Sequence, residues 1–196
     1  MNNLSRNKNL ILDIEFLIEI DKMKNTYRMT HNTSNNNNEN DAEHSWHICM
    51  YALVLSKYCE IEIDISNVIN MLLVHDLIEI YAGDTFAYDK QNIKDQRIRE
   101  EEACEKLCEL ASLETSNMIK KLWYEFEDKE TNDSIFANGL DRLQPMVLNY
   151  INNGGSWAEH NIEKEDIYKR LEILKKSSVK LWEYGINMIN DYFERR

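Results

Sequence analysis

The sequence predicts an all-α protein with a single domain. Its 196 residues include only five glycines and one proline, and residues that favour helices, such as Leu, Glu and Lys, are abundant. Apolar residues recur at helical spacing along most of the chain, and no strand pattern is longer than residues 61–63. A chain of this length can bury a full core in one domain. We therefore expect one domain over residues 1–196, with its core at about 9–190.

Apolar spacing and capping residues predict eight helices. They cover about residues 9–24, 41–59, 65–83, 90–110, 115–128, 131–150, 163–177 and 178–194. An asparagine-rich loop at about 32–40 is predicted to be mobile and is a candidate lid, and residues 152–156 form a clear break. Pro145 cannot donate a hydrogen bond to the carbonyl of Asp141, so we expect a bend in that helix.

The rest of the chain is organised around the predicted helix at 65–83. It is apolar on nearly every side, which predicts a central position, yet it carries His75, Asp76 and Glu79. Burying these groups costs several kcal/mol unless a cation or a hydrogen-bond network compensates. A helical spacing of four would place His75 and Glu79 on one face, with Asp76 beside them. A bound metal ion is one compensator, and an internally bridged His/Asp pair is the alternative.

Charge and composition restrict the class of partner. The formal net charge is −12, and no cluster of Lys or Arg stands out, so the phosphate backbone of a nucleic acid is not an expected partner. Anionic small molecules are still possible, because a metal ion and one or two buried arginines can reverse the local field. No signal peptide, membrane span of ~20 apolar residues or zinc-ribbon cysteine spacing is evident, so we expect a reduced, cytoplasmic setting without a membrane partner.

Four potential metal ligands lie in helical segments dominated by apolar residues: His44, His75, Asp76 and Asp141. Two imidazoles and two carboxylates suit a six-coordinate divalent ion such as Mn²⁺, Co²⁺, Fe²⁺ or Mg²⁺, and Zn²⁺ is possible. Four protein ligands on such an ion leave two positions for water and substrate, as a hydrolytic metal site requires.

The order His…His-Asp…Asp on a helical chain resembles the HD-domain metal-dependent phosphohydrolase superfamily. The surrounding residues are similar to the branch that includes the bacterial 5'-deoxynucleotidases. The similar segments are residues 39–47, 75–85, 140–145, 154–157 and 181–184. Together they extend the resemblance over about residues 9–190, so an HD-domain helical bundle is the expected fold.

The resemblance implies roles for individual residues. One divalent metal ion would be held by His44, His75, Asp76 and Asp141. The implied catalytic residues are Glu79, Asp84 and Arg28, of which Arg28 and Asp84 would also contact the substrate. The residue after that arginine is often aromatic in the deoxynucleotidase branch, and here it is Met29. A homodimer is also expected from the resemblance alone.

The chemistry of the residues is compatible with these roles and leaves alternatives open. Arg28 can hold phosphate oxygens in a bidentate grip, and Asp84 or Glu79 can orient a water molecule or protonate a leaving alkoxide. Glu79 has the alternative of only orienting His75. Arg142 either faces phosphate or forms a structural ion pair. His47 lies one turn after His44, and a role in the core or rim is the simpler interpretation.

The predicted function is hydrolysis of a small phosphate ester, a nucleoside or deoxynucleoside 5'-monophosphate, to nucleoside and phosphate. One alternative is another nucleotide phosphate bond, in a triphosphate, a cyclic nucleotide or a guanosine polyphosphate. The other is a regulatory protein that binds metal or nucleotide without turnover.

Overall fold

The computed structural model describes residues 7–35, 37–89 and 95–196. Over these residues the protein is helical, with one small two-stranded sheet. The helices are α1 (Lys8–Glu19), α2 (Asp41–Leu55), α3 (Ile65–Val74), α4 (Glu79–Ala82), α5 (Gln96–Cys108), α6 (Leu113–Asp128), α7 (Asn132–Ile151), α8 (Gly155–Glu159), α9 (Lys164–Leu171) and α10 (Val179–Arg195). Shorter 3₁₀ turns cover Ile20–Asn25, Ser56–Tyr58 and Glu172–Lys176. The predicted all-α class is confirmed.

Helix α3 lies at the centre, as its apolar pattern predicts. It packs against α2, α6 and α7, and Val68, Met71 and Leu72 are fully buried in the core. Leu73 is an exception: the apolar pattern predicts that it is buried, but it is 49% exposed. By length and composition alone, Ile65–Ala82 could cross a membrane, with a mean hydropathy of 1.2. A core helix passes the same test, and here this segment packs inside the fold.

The prediction of one continuous helix at 65–83 is wrong. Helix α3 ends at Val74, and the next residues form a turn closed by tighter bonds: the amides of Leu77 and Glu79 donate to the carbonyls three residues earlier, each at 3.0 Å. In such a turn, side chains three apart lie above one another. Asp76 is therefore grouped with Glu79, and His75 faces a different set of residues.

The sheet was not predicted. Strand β1 (Tyr27–His31) pairs antiparallel with β2 (Asn38–Asn40), which occupies the end of the predicted asparagine-rich loop. Both strands are short and mostly polar, so they lack the apolar alternation by which strands are recognised. Asn36 in the middle of this loop lies outside the described residues. The hairpin carries Arg28 towards the N-terminus of α2.

Several helix boundaries differ from the prediction. The first residues of the predicted helix at 90–110 lie outside the described residues, and α5 begins at Gln96. The predicted helix at 163–177 divides into α9 and a 3₁₀ turn. Part of the predicted break at 152–156 folds into α8, which follows Gly154 at φ 105°. Helix α7 contains Pro145 and is continuous from Asn132 to Ile151.

Gly139 sets the distance between α7 and the 3₁₀ turn at Glu172–Lys176. A Cβ atom at this position would lie 2.6 Å from Leu174 Cδ1 and 3.2 Å from Leu174 Cα. The close approach holds the end of α9 against the helix that carries Asp141.

We expect Gly139→Ala to lower the free energy of unfolding by about 1–3 kcal/mol, because the cost of overpacking exceeds the gain in helix propensity of about 1 kcal/mol. Chemical denaturation measures the change. Lys121→Ala on the exposed face of α6 is the control and should change stability by less than about 0.5 kcal/mol. Unchanged or increased stability of the Gly139 variant would contradict this account of the helix contact.

Candidate metal centre

Three separate elements bring the four predicted ligands together. His44 comes from the first turn of α2, His75 and Asp76 from the turn after α3, and Asp141 from the middle of α7. His44 Nε2 lies 3.1 Å from Asp141 Oδ1 and 3.8 Å from Asp76 Oδ2. His75 Nε2 lies 3.0 Å from Asp76 Oδ2 and 3.6 Å from Asp141 Oδ1. The predicted convergence of these side chains is present in the structure.

Hydrogen bonds at Nδ1 orient both imidazole rings so that each Nε2 faces the carboxylates. His75 Nδ1 donates to the carbonyl of Leu72 at 2.9 Å, and His44 Nδ1 donates to Gln144 Oε1 at 2.9 Å. With a proton on each Nδ1, both rings present Nε2 to the carboxylates of Asp76 and Asp141. A second hydrogen bond of this kind is the usual support for a histidine that ligates a metal ion.

The ligand atoms of His44, His75 and Asp141 lie within 4.8 Å of one another, and Asp76 Oδ2 approaches both histidines. Ligands at about 2.1 Å from an octahedral ion are separated by roughly 3.0 Å when adjacent and roughly 4.2 Å when opposite. The four distances between histidine and aspartate atoms, 3.0 to 3.8 Å, lie in this range. His75 Nε2 is buried and makes no hydrogen bond, although Asp76 Oδ2 is only 3.0 Å away. A cation would satisfy this nitrogen.

The site contains more acidic than basic groups. Its carboxyl groups are those of Asp41, Asp76, Glu79, Asp84 and Asp141, and its basic side chains are Arg28, His44 and His75. Burial opposes a charge on His75, but the carboxylates of Asp76 and Asp141 outweigh burial and raise its pKa to about 10. Burial also opposes the charge of Asp76, but His75 and Arg28 lower its pKa to about 2. Protons and a metal ion therefore compete for the same histidine nitrogens.

Arg28 is held by the carboxylates of the site. One terminal nitrogen lies 2.6 Å from Asp76 Oδ2 and 3.5 Å from Asp41 Oδ1, and the side chain is only 11% exposed. Asp41 was not among the predicted site residues. Burial and the neighbouring Asp76 raise the pKa of Asp41 to about 7.

A cavity of about 340 Å³ opens beside the candidate metal centre. Among the residues that line it are Arg28, His75, Asp76, Glu79, Asp84 and Asp141. His44 lies behind this wall and is fully buried. Burial, followed by the charge of Asp76, raises the pKa of Glu79 well above its usual range, and burial raises the pKa of Asp84. The predicted catalytic side chains thus share one cavity with the predicted ligands.

Sequence reasoning missed the residues that support His44. Gln144 is fully buried and donates to Glu39 Oε1 at 2.6 Å and to His47 Nδ1 at 3.0 Å, while its carbonyl oxygen accepts from His44. Glu39 Oε2 also lies 3.4 Å from His44 Nδ1. Glu39 and Gln144 belong to the segments that carry the family resemblance. The signal that could have revealed them in the sequence was an isolated polar residue on an apolar helix face. His47 supports this network from the rim.

The fold and the site define a helical protein with a buried His/Asp centre for a divalent cation. A family model for HD domains matches residues 20–182. The crystal structure at 1.37 Å of a predicted metal-dependent phosphohydrolase from Magnetospirillum magnetotacticum MS-1 is similar, with a TM-score of 0.91 and 37% identity, covering 95% of this chain and 94% of that chain. The chain belongs to the HD-domain family.

A curated relative is similar over a shorter region. The chain is 30% identical over 117 residues to 5'-deoxynucleotidase HDDC2 of Dictyostelium discoideum. This match covers 57% of the chain and 62% of the length of that relative.

We expect a divalent ion to stabilise the fold, because it neutralises the excess of carboxylates. At a free concentration 100 times its Kd, the ion adds about 2.7 kcal/mol, or roughly 5–10 °C in Tm for a chain of this size. Thermal denaturation with and without Mn²⁺ or Co²⁺ measures the shift. Asp141→Asn should abolish most of it, and an equal shift in this variant would argue against Asp141 as a ligand.

We expect Gln144→Met to weaken metal binding by about 10–100-fold, because His44 loses the acceptor that orients its ring. Titration with Mn²⁺ or Co²⁺, followed by calorimetry, gives the affinity. Gln96→Met is the matched control: Gln96 lines the same cavity but donates to Glu100 at 2.6 Å. Equal affinities in the two variants would show that Gln144 does not position the ligand.

Proposed function

We propose that the protein is a metal-dependent phosphohydrolase that converts nucleoside or deoxynucleoside 5'-monophosphates to nucleoside and phosphate. The observation that carries the proposal is the convergence of two Nε2 atoms and two carboxylates beside a polar cavity that is lined by Arg28, Glu79 and Asp84. The Magnetospirillum relative, similar over nearly its full length, supports phosphohydrolysis. The Dictyostelium relative supports the finer assignment to nucleotides.

A divalent ion bound by His44, His75, Asp76 and Asp141 would supply Lewis acidity and lower the pKa of a coordinated water towards neutrality. The protein supplies charge and orientation around it. Arg28 brings a buried positive charge into the cavity, and its guanidinium has further N–H donors for phosphoryl oxygens beyond those facing Asp76 and Asp41.

Glu79 is suited to hold the proton that the leaving alkoxide requires. Burial and the charge of Asp76 raise the pKa of Glu79 well above its usual range, which favours the protonated form, and its buried Oε2 has no hydrogen-bond partner. A protonated carboxyl group that faces a reaction cavity can act as a general acid. Asp84, on the same cavity wall and less buried, is placed to orient the attacking water or the substrate.

A second, smaller cavity adjoins the first one and is lined partly by aromatic side chains. It has a volume of about 60 Å³ and shares Arg28, Asp84 and Thr85 with the larger cavity. Its further lining residues include Met29, Phe86, Tyr88 and Trp157. Aromatic faces and a thioether are suitable surfaces for a base or a deoxyribose. A volume of about 60 Å³ is roughly that of two water molecules, so only an edge of a nucleoside could lie against these side chains.

A panel of nucleoside 5'-monophosphates assayed for phosphate release with Mn²⁺ or Co²⁺ tests the proposal. We expect turnover of at least one member, and none by Asp141→Asn. Triphosphates, cyclic nucleotides and guanosine polyphosphates in the same panel test the alternative substrates. Absence of turnover on every member, with bound metal demonstrated, would favour a regulatory binding protein. Homodimer formation and a cytoplasmic location stay predictions from the sequence.

We expect Glu79→Gln to lower kcat by about 10²–10⁴-fold while metal affinity is kept, because the amide fills the same space but cannot supply an acidic proton. Steady-state kinetics and metal titration measure the two quantities. Glu100→Gln is the control, since Glu100 is a buried carboxyl group on the same cavity and accepts a hydrogen bond from Gln96. Loss of metal by Glu79→Gln would instead assign Glu79 to holding the metal ligands.

A further inference from the structure

Two arginines that the proposed mechanism does not use lie at the junction of the two cavities. Arg142 follows Asp141 on α7, and Arg170 is near the end of α9. Both residues line the 340 Å³ cavity and the 60 Å³ cavity. An Arg142 terminal nitrogen lies 3.5 Å from the backbone carbonyl of Arg170, so the two residues are neighbours although they are far apart in sequence.

Two other arginines that line the larger cavity, Arg28 and Arg97, have carboxylate partners. Arg28 faces Asp76 and Asp41, and Arg97 lies 2.7 Å from Glu101. Over the part of the chain that the structure describes, neither Arg142 nor Arg170 lies within 4.0 Å of a carboxylate oxygen. The Nε of Arg142 is buried and makes no hydrogen bond. An ion pair was one of the two roles predicted for Arg142, and none is seen among the described residues.

The surroundings of the pair favour an anion. Arg142 and Arg170 bring two positive charges to the wall that the two cavities share, and the buried Nε of Arg142 has no hydrogen-bond partner. An anion between the two side chains would accept hydrogen bonds from their guanidinium groups. Guanidinium groups bind phosphate in a planar, bidentate manner that an ammonium group does not reproduce. Because Asp141 lines the 340 Å³ cavity as well, such an anion would share that cavity with the candidate metal centre.

We propose that Arg142 and Arg170 form the subsite that binds the phosphate group of the substrate and the phosphate product. This inference rests on the proposed function for its substrate class. It adds phosphate contacts from this pair to those that the remaining N–H donors of Arg28 can make beside Asp76 and Asp41.

Binding of inorganic phosphate to the Mg²⁺-loaded protein tests the subsite without turnover. By isothermal titration calorimetry, we expect Arg142→Gln and Arg170→Gln each to raise the Kd of phosphate at least tenfold, with the Mg²⁺ affinity unchanged. Arg97→Gln is the matched control, because Arg97 lines the same cavity but is paired with Glu101, and its phosphate affinity should equal that of the wild type. Arg142→Lys should weaken phosphate binding less than Arg142→Gln does, because lysine keeps the positive charge.

Unchanged phosphate affinity in both Gln variants, or a loss equal to that of the Arg97 variant, would overturn the proposal. A fall in Tm without a change in the phosphate Kd would assign Arg142 to packing and would also overturn it. Turnover kinetics separate this question from the proposed function. Normal KM and product inhibition in active Gln variants would reject only the subsite, whereas arginine-dependent phosphate binding without any nucleotide turnover would reject only the nucleotidase assignment.

Discussion

The structure depends on placing carboxylates and imidazoles together in the centre of a helical core. His44, His75, Asp76 and Asp141 approach within 3.0 to 3.8 Å across elements that are distant in the sequence. Buried charges of this kind are costly unless they are paired or bound to a cation. Arg28 and protons on the histidines compensate part of the negative charge, and a divalent ion would compensate the rest. The surrounding helices hold these acidic and basic groups close enough together for their charges to compensate.

Orientation of the ligands is provided by groups that do not themselves face the cavity. The carbonyl of Leu72 orients His75, and Gln144 orients His44 while Glu39 and His47 hold Gln144. The end of α3 at Val74 has a similar effect, because the tight turn that follows directs His75 to one ligand group and Asp76 with Glu79 to another. The interruption of the helix is therefore part of the site.

The expected helices at 41–59, 115–128, 131–150 and 178–194 were close to the observed ones because caps and apolar spacing are local signals. The hairpin of β1 and β2 and the turn at His75 were missed for the opposite reason. Polar strands carry no apolar alternation, and the tight turn replaces a helix without any breaking residue. The candidate ligands were recognised by their unusual setting in apolar segments. Gln144, Glu39 and Asp41 were not recognised, because their importance comes from the residues around them.

The sequence by itself determined the helical class, the central position of α3 and the identity of the metal-ligand candidates, because these follow from spacing along one helix and from the chemistry of each side chain. Only the tertiary structure decided that Arg28 contacts Asp76, that Gln144 bridges His44 to Glu39, and that Arg142 and Arg170 meet at the junction of two cavities. These contacts join residues that lie 28 to 105 positions apart, and packing between elements, which local spacing does not encode, sets their distances.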